Sequence, residues 1–339
     1  MDFKCHKNKS YILGCFVLLS ILGYVSYRIF YAPQMYSETK ILMDTVINVK
    51  VYGVDKKSAI ADAFYEFERI QVISDHFDPN SQVSKINDMA GISPVEVDED
   101  LLKMINDAIQ ISEKTDGAFD ISIGPLTDLW GIGHKTDFVP TQEEIDKVLP
   151  LIDYRKIEVD NEKHTVYLPQ KGMQLDLGGV AKDYAVNRAI EALQKDGVHS
   201  AVINAGGDVE VIGSRPDGAA WTIGVQNPRD KDGIVARVPL KKAWNMTQSS
   251  GDYQRFFIKD GQRYAHIINP KTGKQPTELS GVTLVYDSSA IEGDIASSGF
   301  LVLGLDRGMK ALEKFPGVEA IFVKTDGDVI LSPGLQNNT

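Results

Sequence analysis

Cysteine is almost missing from this 339-residue chain. Its two cysteines, Cys5 and Cys15, both fall within the first 15 residues. From Phe16 onward the sequence therefore excludes a disulfide, a thiolate zinc site and a cysteine nucleophile. Blocks of lysine and arginine are also lacking, and the formal net charge is -11. That charge argues against nucleic acid as a partner. Two phosphate-binding signatures are missing as well: neither GxxxxGK[ST] nor GxGxxG occurs. No internal repeat or long low-complexity segment is present. What remains is 43% hydrophobic, enough for a sizeable core in one large domain or two smaller ones.

Only one long apolar run exists. Ile12 to Phe30 is 19 residues of mostly apolar character, interrupted by two serines, glycines and Arg28. That length suits a helix crossing a hydrocarbon layer of about 30 Å. Lys4, Lys7 and Lys9 precede it, while Tyr24, Tyr27 and Tyr31 gather at its other end. Such an arrangement places the lysines inside and everything from Tyr31 onward outside the cytoplasm. Three readings stay open: an uncleaved anchor, a cleaved signal peptide, or a lipoprotein signal at Ile12-Leu13-Gly14-Cys15. Residues 1–31 are thus read as a cytoplasmic N-terminus with a membrane segment, and 32–339 as the folded body. The expected address is the inner membrane, with the body on the periplasmic side.

The body is organised around Gln174 to Gly213. Asp176 ends a short apolar run, and Gly178-Gly179 follow. Ala181, Tyr184, Ala185, Ala189 and Leu193 then share one helical face. Gly197 closes the helix, and two strands flank the turn Gly206-Gly207. A glycine pair before a helix N-terminus suits an anion, because the first N–H groups are unpaired and the backbone can be approached closely. A bare tight turn accounts for the same residues. Lys182 is placed to add a charge.

Elsewhere, Met43 to Tyr52 alternates as a half-buried strand, and Lys57 to Ser74 is an amphipathic helix. Further helices are expected at Asp100–Thr115, Thr141–Val148, Ser289–Leu303 and Met309–Phe315. Strands are expected at Trp221–Gln226, Ile234–Leu240, Ala243–Ser249, Tyr264–Ile268 and Val282–Tyr286. Strict β-α-β alternation is lacking. The reading is an α+β fold with mixed, largely antiparallel sheets and flanking helices. Asp294 and Ser298 are four apart, on one face of the expected helix, with Ser297 adjacent. A carboxylate with hydroxyls suits a hard cation such as Mg²⁺; a solvated Asp with a helix-interior Ser is the plain alternative.

Five segments together resemble the ApbE family, the FAD:protein FMN transferases. They are MDTVINVKVYG (from Met43), TDGAFDISIGPLTDLWGIG (from Thr115), LDLGGVAKDYAVNRAI (from Leu175), SGDYQRFF…YAHIINPKTG (Ser250 to Gly273) and GDIASSGFLVLG (from Gly293). The resemblance implies Mg-dependent transfer of the FMN half of FAD to a threonine or serine of a membrane or exported flavoprotein, releasing AMP. It implies FAD contacts from Met43, Phe77, Ala118, Phe119, Asp120, Asp176, Lys182, His266 and Ile268. It implies Mg²⁺ ligation by the Gly179 carbonyl, Asp294, Ser297 and Ser298, with His266 and Asp294 in catalysis. Some positions depart from the pattern. Ser298 stands for the usual Thr, Asp183 for a common Gly, Asn187 for a common Asp, and Asn269 for a frequent Asp. Asp183 is expected to add negative charge near the phosphate site. Two other functions fit the same residues: an Mg-dependent FAD pyrophosphatase, and a flavin-binding protein without catalysis.

Overall fold

The computed structural model describes residues 34–53, 56–133, 138–240, 244–289 and 295–336, with Val17, Leu19, Ser20, Gly23 and Lys135. Most of the apolar run Ile12–Phe30 lies outside the described residues, and so does Asp294. Among the described residues no helix is long and apolar enough to cross a membrane.

Eight strands form the main sheet: β1 (Gln34–Leu42), β2 (Thr45–Gly53), β3 (Ala201–Ala205), β4 (Asp208–Ile212), β5 (Met246–Gly251), β6 (Leu279–Tyr286), β7 (Glu319–Lys324) and β8 (Val329–Leu331). Their order in the sheet is their order in the chain. Every neighbouring pair is antiparallel. The expected α+β, largely antiparallel architecture is the one observed.

Alternation explains which faces are buried. In β2, Ile47, Val49 and Val51 are fully buried, while Lys50 between them is exposed. That apolar face packs under two helices, Lys57–Ser74 and Ala181–Lys195, through Phe64, Phe67, Ala185 and Ala189. Strand β6 is buried along its whole length. Val282, Leu284 and Tyr286 meet the helix Ser297–Ala311 through Phe300 and Leu301. Val285, pointing the other way, meets Val225, Val238 and Leu240 of the hairpin Trp221–Asn227/Asp230–Leu240. A strand covered on both faces has no polar alternation to keep.

Two local expectations need correcting. The strand expected at Tyr264–Ile268 ends at Ala265, within a hairpin of Phe256–Lys259 and Gln262–Ala265. Beyond it the chain turns, and Gly273 N–H closes back on the Asn269 carbonyl at 2.8 Å. The helix expected from Ser289 begins only at Ser297, with Ala296 extended (φ −129, ψ 107). Gln248 holds that extended backbone on both sides, at the Ile295 carbonyl (2.8 Å) and the Ser297 N–H (2.7 Å). Gly304 does interrupt the helix as expected, at φ 78, after which it resumes to Ala311.

Candidate active site

A cavity of about 500 Å³ is lined by every candidate residue that the structure describes. They reach it from six places in the chain, and the sheet and its helices bring those places together.

The first is the β1–β2 turn. Met43 and Asp44 form a two-residue loop between the paired Leu42 and Thr45, with φ 51 and 54. This left-handed turn matches the twist of a hairpin, but costs a non-glycine residue about 1–2 kcal/mol. The Met43 N–H is held by Gln71 Oε1 at 2.7 Å. Asp44 faces Arg255 at 3.9 Å.

Second comes the loop after helix Lys57–Ser74. His76 Nε2 meets Asp128 Oδ1 at 2.8 Å, and Nδ1 meets the Leu175 carbonyl at 3.0 Å. Burial disfavours the imidazolium here. The Asp128 hydrogen bond and the Asp176 charge oppose it, and the ring's pKa ends above its ordinary value. Phe77 packs edge-on against that ring at 4.8 Å and stays 45% exposed.

Third is Ala118–Asp120. Asp120 lines the cavity, but its carboxylate is engaged inward. It accepts from Ser122 N (2.8 Å), Ser122 Oγ (2.6 Å) and Tyr154 N (3.0 Å). Burial raises its pKa against those three bonds. Asp120 therefore braces the loop that presents Ala118 and Phe119.

Fourth is the glycine turn. Asp176 Oδ1 accepts from the Gly178 N–H at 2.8 Å, fixing the turn from within. A Cβ on Gly179 would lie 2.7 Å from Phe119 Cε2 and 3.7 Å from Ser298 Oγ. Glycine is needed there for close approach. Gly179→Ala is expected to displace Phe119 and cost about 1–3 kcal/mol. A urea-unfolding midpoint equal to wild type would refute this.

Lys182, in the first turn of the following helix, is not a spare charge. Its ammonium pairs with Asp208, whose side chain is only 2% exposed. Burial works against the ammonium, but Asp208 and Asp183 outweigh it and raise its pKa. Asp208 also accepts from Ser249 N at 2.6 Å. Asp183 is 2% exposed and bonds Gln248. Asp183 thus lines the cavity with its charge felt at Lys182, while its carboxylate is engaged by Gln248.

Fifth is His266-Ile267-Ile268. His266 Nδ1 lies 3.3 Å from the Arg255 carbonyl, which fits an Nδ1–H donor and leaves Nε2 as the acceptor. Burial first, then the charges of Arg255 and Lys182, lower its pKa to about 4. The ring is neutral at pH 7. Ile268 is buried beside Leu126, Trp130 and Ile145.

Last is the start of helix Ser297–Ala311. Ser297 Oγ lies 2.8 Å from Ser250 Oγ, and Ser298 Oγ is beside Gly179. Among the described residues no cluster of three His, Cys, Asp or Glu could hold a metal. The oxygens placed there, the hydroxyls of Ser297 and Ser298, are neutral, and a hard cation would need a carboxylate or substrate phosphates beside them.

Sequence reasoning passed over His76, Asp208, Gln248 and Arg255, all of which line the cavity. Asp208 directly follows Gly206-Gly207, and Arg255 lies within SGDYQRFF, so both had a nearby signal. Nothing in the sequence singled out Gln248.

A glycine turn at a helix N-terminus, a lysine beside it and hydroxyls across from it define a cleft for a phosphate-bearing ligand. The chain belongs to the ApbE family, whose model matches residues 43–322. A relative from Klebsiella pneumoniae, "FAD:protein FMN transferase", is 34% identical over 88% of this chain and 92% of its own length. One of the same description from Treponema pallidum is 29% identical over 88% and 87%. The crystal structure of the ApbE protein from Thermotoga maritima superposes with a TM-score of 0.81 at 29% identity, covering 90% of this chain and 99% of its own. The apo flavinyl transferase ApbE of Pseudomonas stutzeri gives 0.77 at 25% identity, covering 91% and 97%.

Proposed function

We propose that this chain transfers the FMN half of FAD to a threonine or serine hydroxyl of a target protein and releases AMP. Membership of the ApbE family and the naming of its relatives support the activity. The observation carrying it to these residues is their convergence on one cavity.

The residues divide the work. Met43, Phe77, Ala118, Phe119 and Ile268 offer apolar contact for an isoalloxazine ring. Asp176, through the glycine turn it braces, and Lys182 hold the diphosphate region. Mg²⁺ is the proposed cofactor, with the Gly179 carbonyl, Asp294, Ser297 and Ser298 as its holders. When bound, it supplies charge neutralisation at the diphosphate. The target hydroxyl oxygen attacks the FMN-side phosphorus, and the bond to the bridging oxygen breaks. AMP leaves with that electron pair. His266 Nε2 takes the hydroxyl proton, which its neutral state permits.

This assignment has a pH consequence. Below the folded pKa the ring is protonated and cannot accept. With that value near 4, kcat/KM is expected to stay flat from pH 7 down to about pH 5. In Arg255→Ala, which removes a neighbouring charge, the loss begins at higher pH. A wild-type decline centred near pH 6.5 would refute the role of His266.

The deciding assay incubates the body with FAD, Mg²⁺ and a protein bearing a candidate threonine. Covalent flavin on that protein supports transfer. Free FMN and AMP alone would make the chain a pyrophosphatase, and unchanged bound FAD a flavin binder. Residues 1–31 are proposed to anchor the body (32–339) to the inner membrane, on its periplasmic side. The lysines before Ile12 and the tyrosines after it support this. Protease protection in spheroplasts tests it, since digestion of the body from outside is required.

A further inference from the structure

Asp183 lines the cavity but takes no part in the chemistry proposed above. It sits in the first turn of helix Ala181–Lys195, is 2% exposed, and points away from solvent. Its Oδ2 accepts from Gln248 Nε2. Gln248, on β5, is 1% exposed. Its amide does two more things. Nε2 also donates to the Ile295 carbonyl at 2.8 Å, and Oε1 accepts from the Ser297 N–H at 2.7 Å.

These bonds have a defined physical effect. Helix Ser297–Ala311 begins without a side-chain cap of its own, after an extended Ala296. The Gln248 amide replaces that cap from a different strand. It bonds the backbone on either side of Ala296, as a neighbouring β-strand does. A glutamine amide can be turned either way round, and only one orientation makes both bonds. A carboxylate accepts and does not donate. Asp183 reinforces that same orientation, with Nε2 toward itself and Oε1 toward Ser297.

We propose that Asp183 and Gln248 are positioning residues that set the cation half of the site. The inference rests on the metal assignment made above. Of the three segments joined by the two side chains, the glycine turn and the Ser297 turn carry proposed oxygen donors, and β5 lies between them. Asp183 lies four residues after Gly179 in the same turn-and-helix. Gln248 is two residues before Ser250, whose hydroxyl meets Ser297 Oγ at 2.8 Å. Ser297 is bonded by Gln248 directly, and Ser298 follows it. Neither Asp183 nor Gln248 touches the cation itself. They fix the register of the Ser297 turn against the glycine turn, where Ser298 Oγ lies beside Gly179.

The test is cation affinity, measured on the intact body by titration calorimetry with Mn²⁺ and Mg²⁺ in the absence of FAD. Asp183→Asn weakens the charge-assisted bond that anchors Gln248 Nε2 and leaves the amide to its two backbone bonds. Its cation Kd is expected to rise about 10- to 100-fold, the usual effect of losing an outer-shell partner. Gln248→Ala is expected to do the same or more. Gln248→Met fills nearly the same volume without either backbone bond. It is expected to weaken cation binding as Gln248→Ala does, which a defect in packing alone would not. Melting curves without cation report folding, and FAD KM against kcat reports where the loss falls; kcat is expected to drop more.

Wild-type cation affinity in both Asp183→Asn and Gln248→Ala would overturn the positioning role. So would wild-type cation affinity in Gln248→Met. A wild-type body that binds neither cation would instead strike the metal assignment, which keeps the two failures distinct.

Discussion

Asp294→Ala is expected to lower flavin transfer on the order of a thousandfold. The reason is charge. Of the four proposed cation holders, the Gly179 carbonyl and the hydroxyls of Ser297 and Ser298 are neutral. Asp294 is the only anion among them. Magnesium gives up its waters reluctantly and is usually held by one or two carboxylates together with substrate phosphates. Without the carboxylate, three neutral oxygens and the FAD diphosphate must hold it alone. Excess Mg²⁺ is expected to restore part of the rate, because weak binding yields to concentration. Asp294→Asn keeps the shape and loses the charge, so it should fall close to the alanine variant. The check is AMP release and protein-bound flavin at several Mg²⁺ concentrations. Activity in Asp294→Ala within tenfold of wild type would sink the assignment.

Lys182→Met is expected to remove FAD turnover and about 3 kcal/mol of stability together. The ammonium is the partner of Asp208, and Asp208 is buried. Methionine fills much of the volume but leaves that carboxylate without its cation. Removing one member of a buried pair costs about 3–5 kcal/mol; the lower figure applies because Lys182 keeps 22% exposure. The loss of stability and the loss of turnover have different causes and can be separated. In Lys182→Met/Asp208→Asn the buried charge is gone, and the amide still accepts from Ser249 N. Denaturant unfolding is expected to show most of the stability regained. Turnover is not expected to return, because the positive charge facing the diphosphate is still missing. A double variant that recovers activity would show that Lys182 acts only through Asp208.

How far the sequence revealed the site depended on distance along the chain. Helix Lys57–Ser74 was legible to the residue, because its apolar period is unbroken and a polar loop follows it. The glycine turn and its helix were legible for the same local reason. Helix Ser297–Ala311 was misplaced at its start. Gly293 was the local sign against a helix over 289–296, and what holds Ala296 extended is a glutamine from β5. From the sequence, Asp183 reads as a negative charge near the phosphate site. Only the fold shows it turned inward onto Gln248. Likewise the ammonium of Lys182 looked free until β4 delivered Asp208 beside it. Local periodicity places the elements. The pairing of polar groups between them is set by tertiary contacts that no single segment contains.

The main sheet keeps the order of the chain, yet β2 and its neighbour β3 are separated by the whole excursion from Gly53 to Ala201. During synthesis, β2 must therefore wait. Until Ala201–Ala205 emerges, it has β1 on one side and an open row of amides and carbonyls on the other. An open strand edge of that kind templates association with other chains. Loop-closure entropy also delays so distant a pairing. Nascent or clipped chains that stop before Ala201 are thus expected to be aggregation-prone, whereas cuts in the loops after β4 leave the β2–β3 pair already closed.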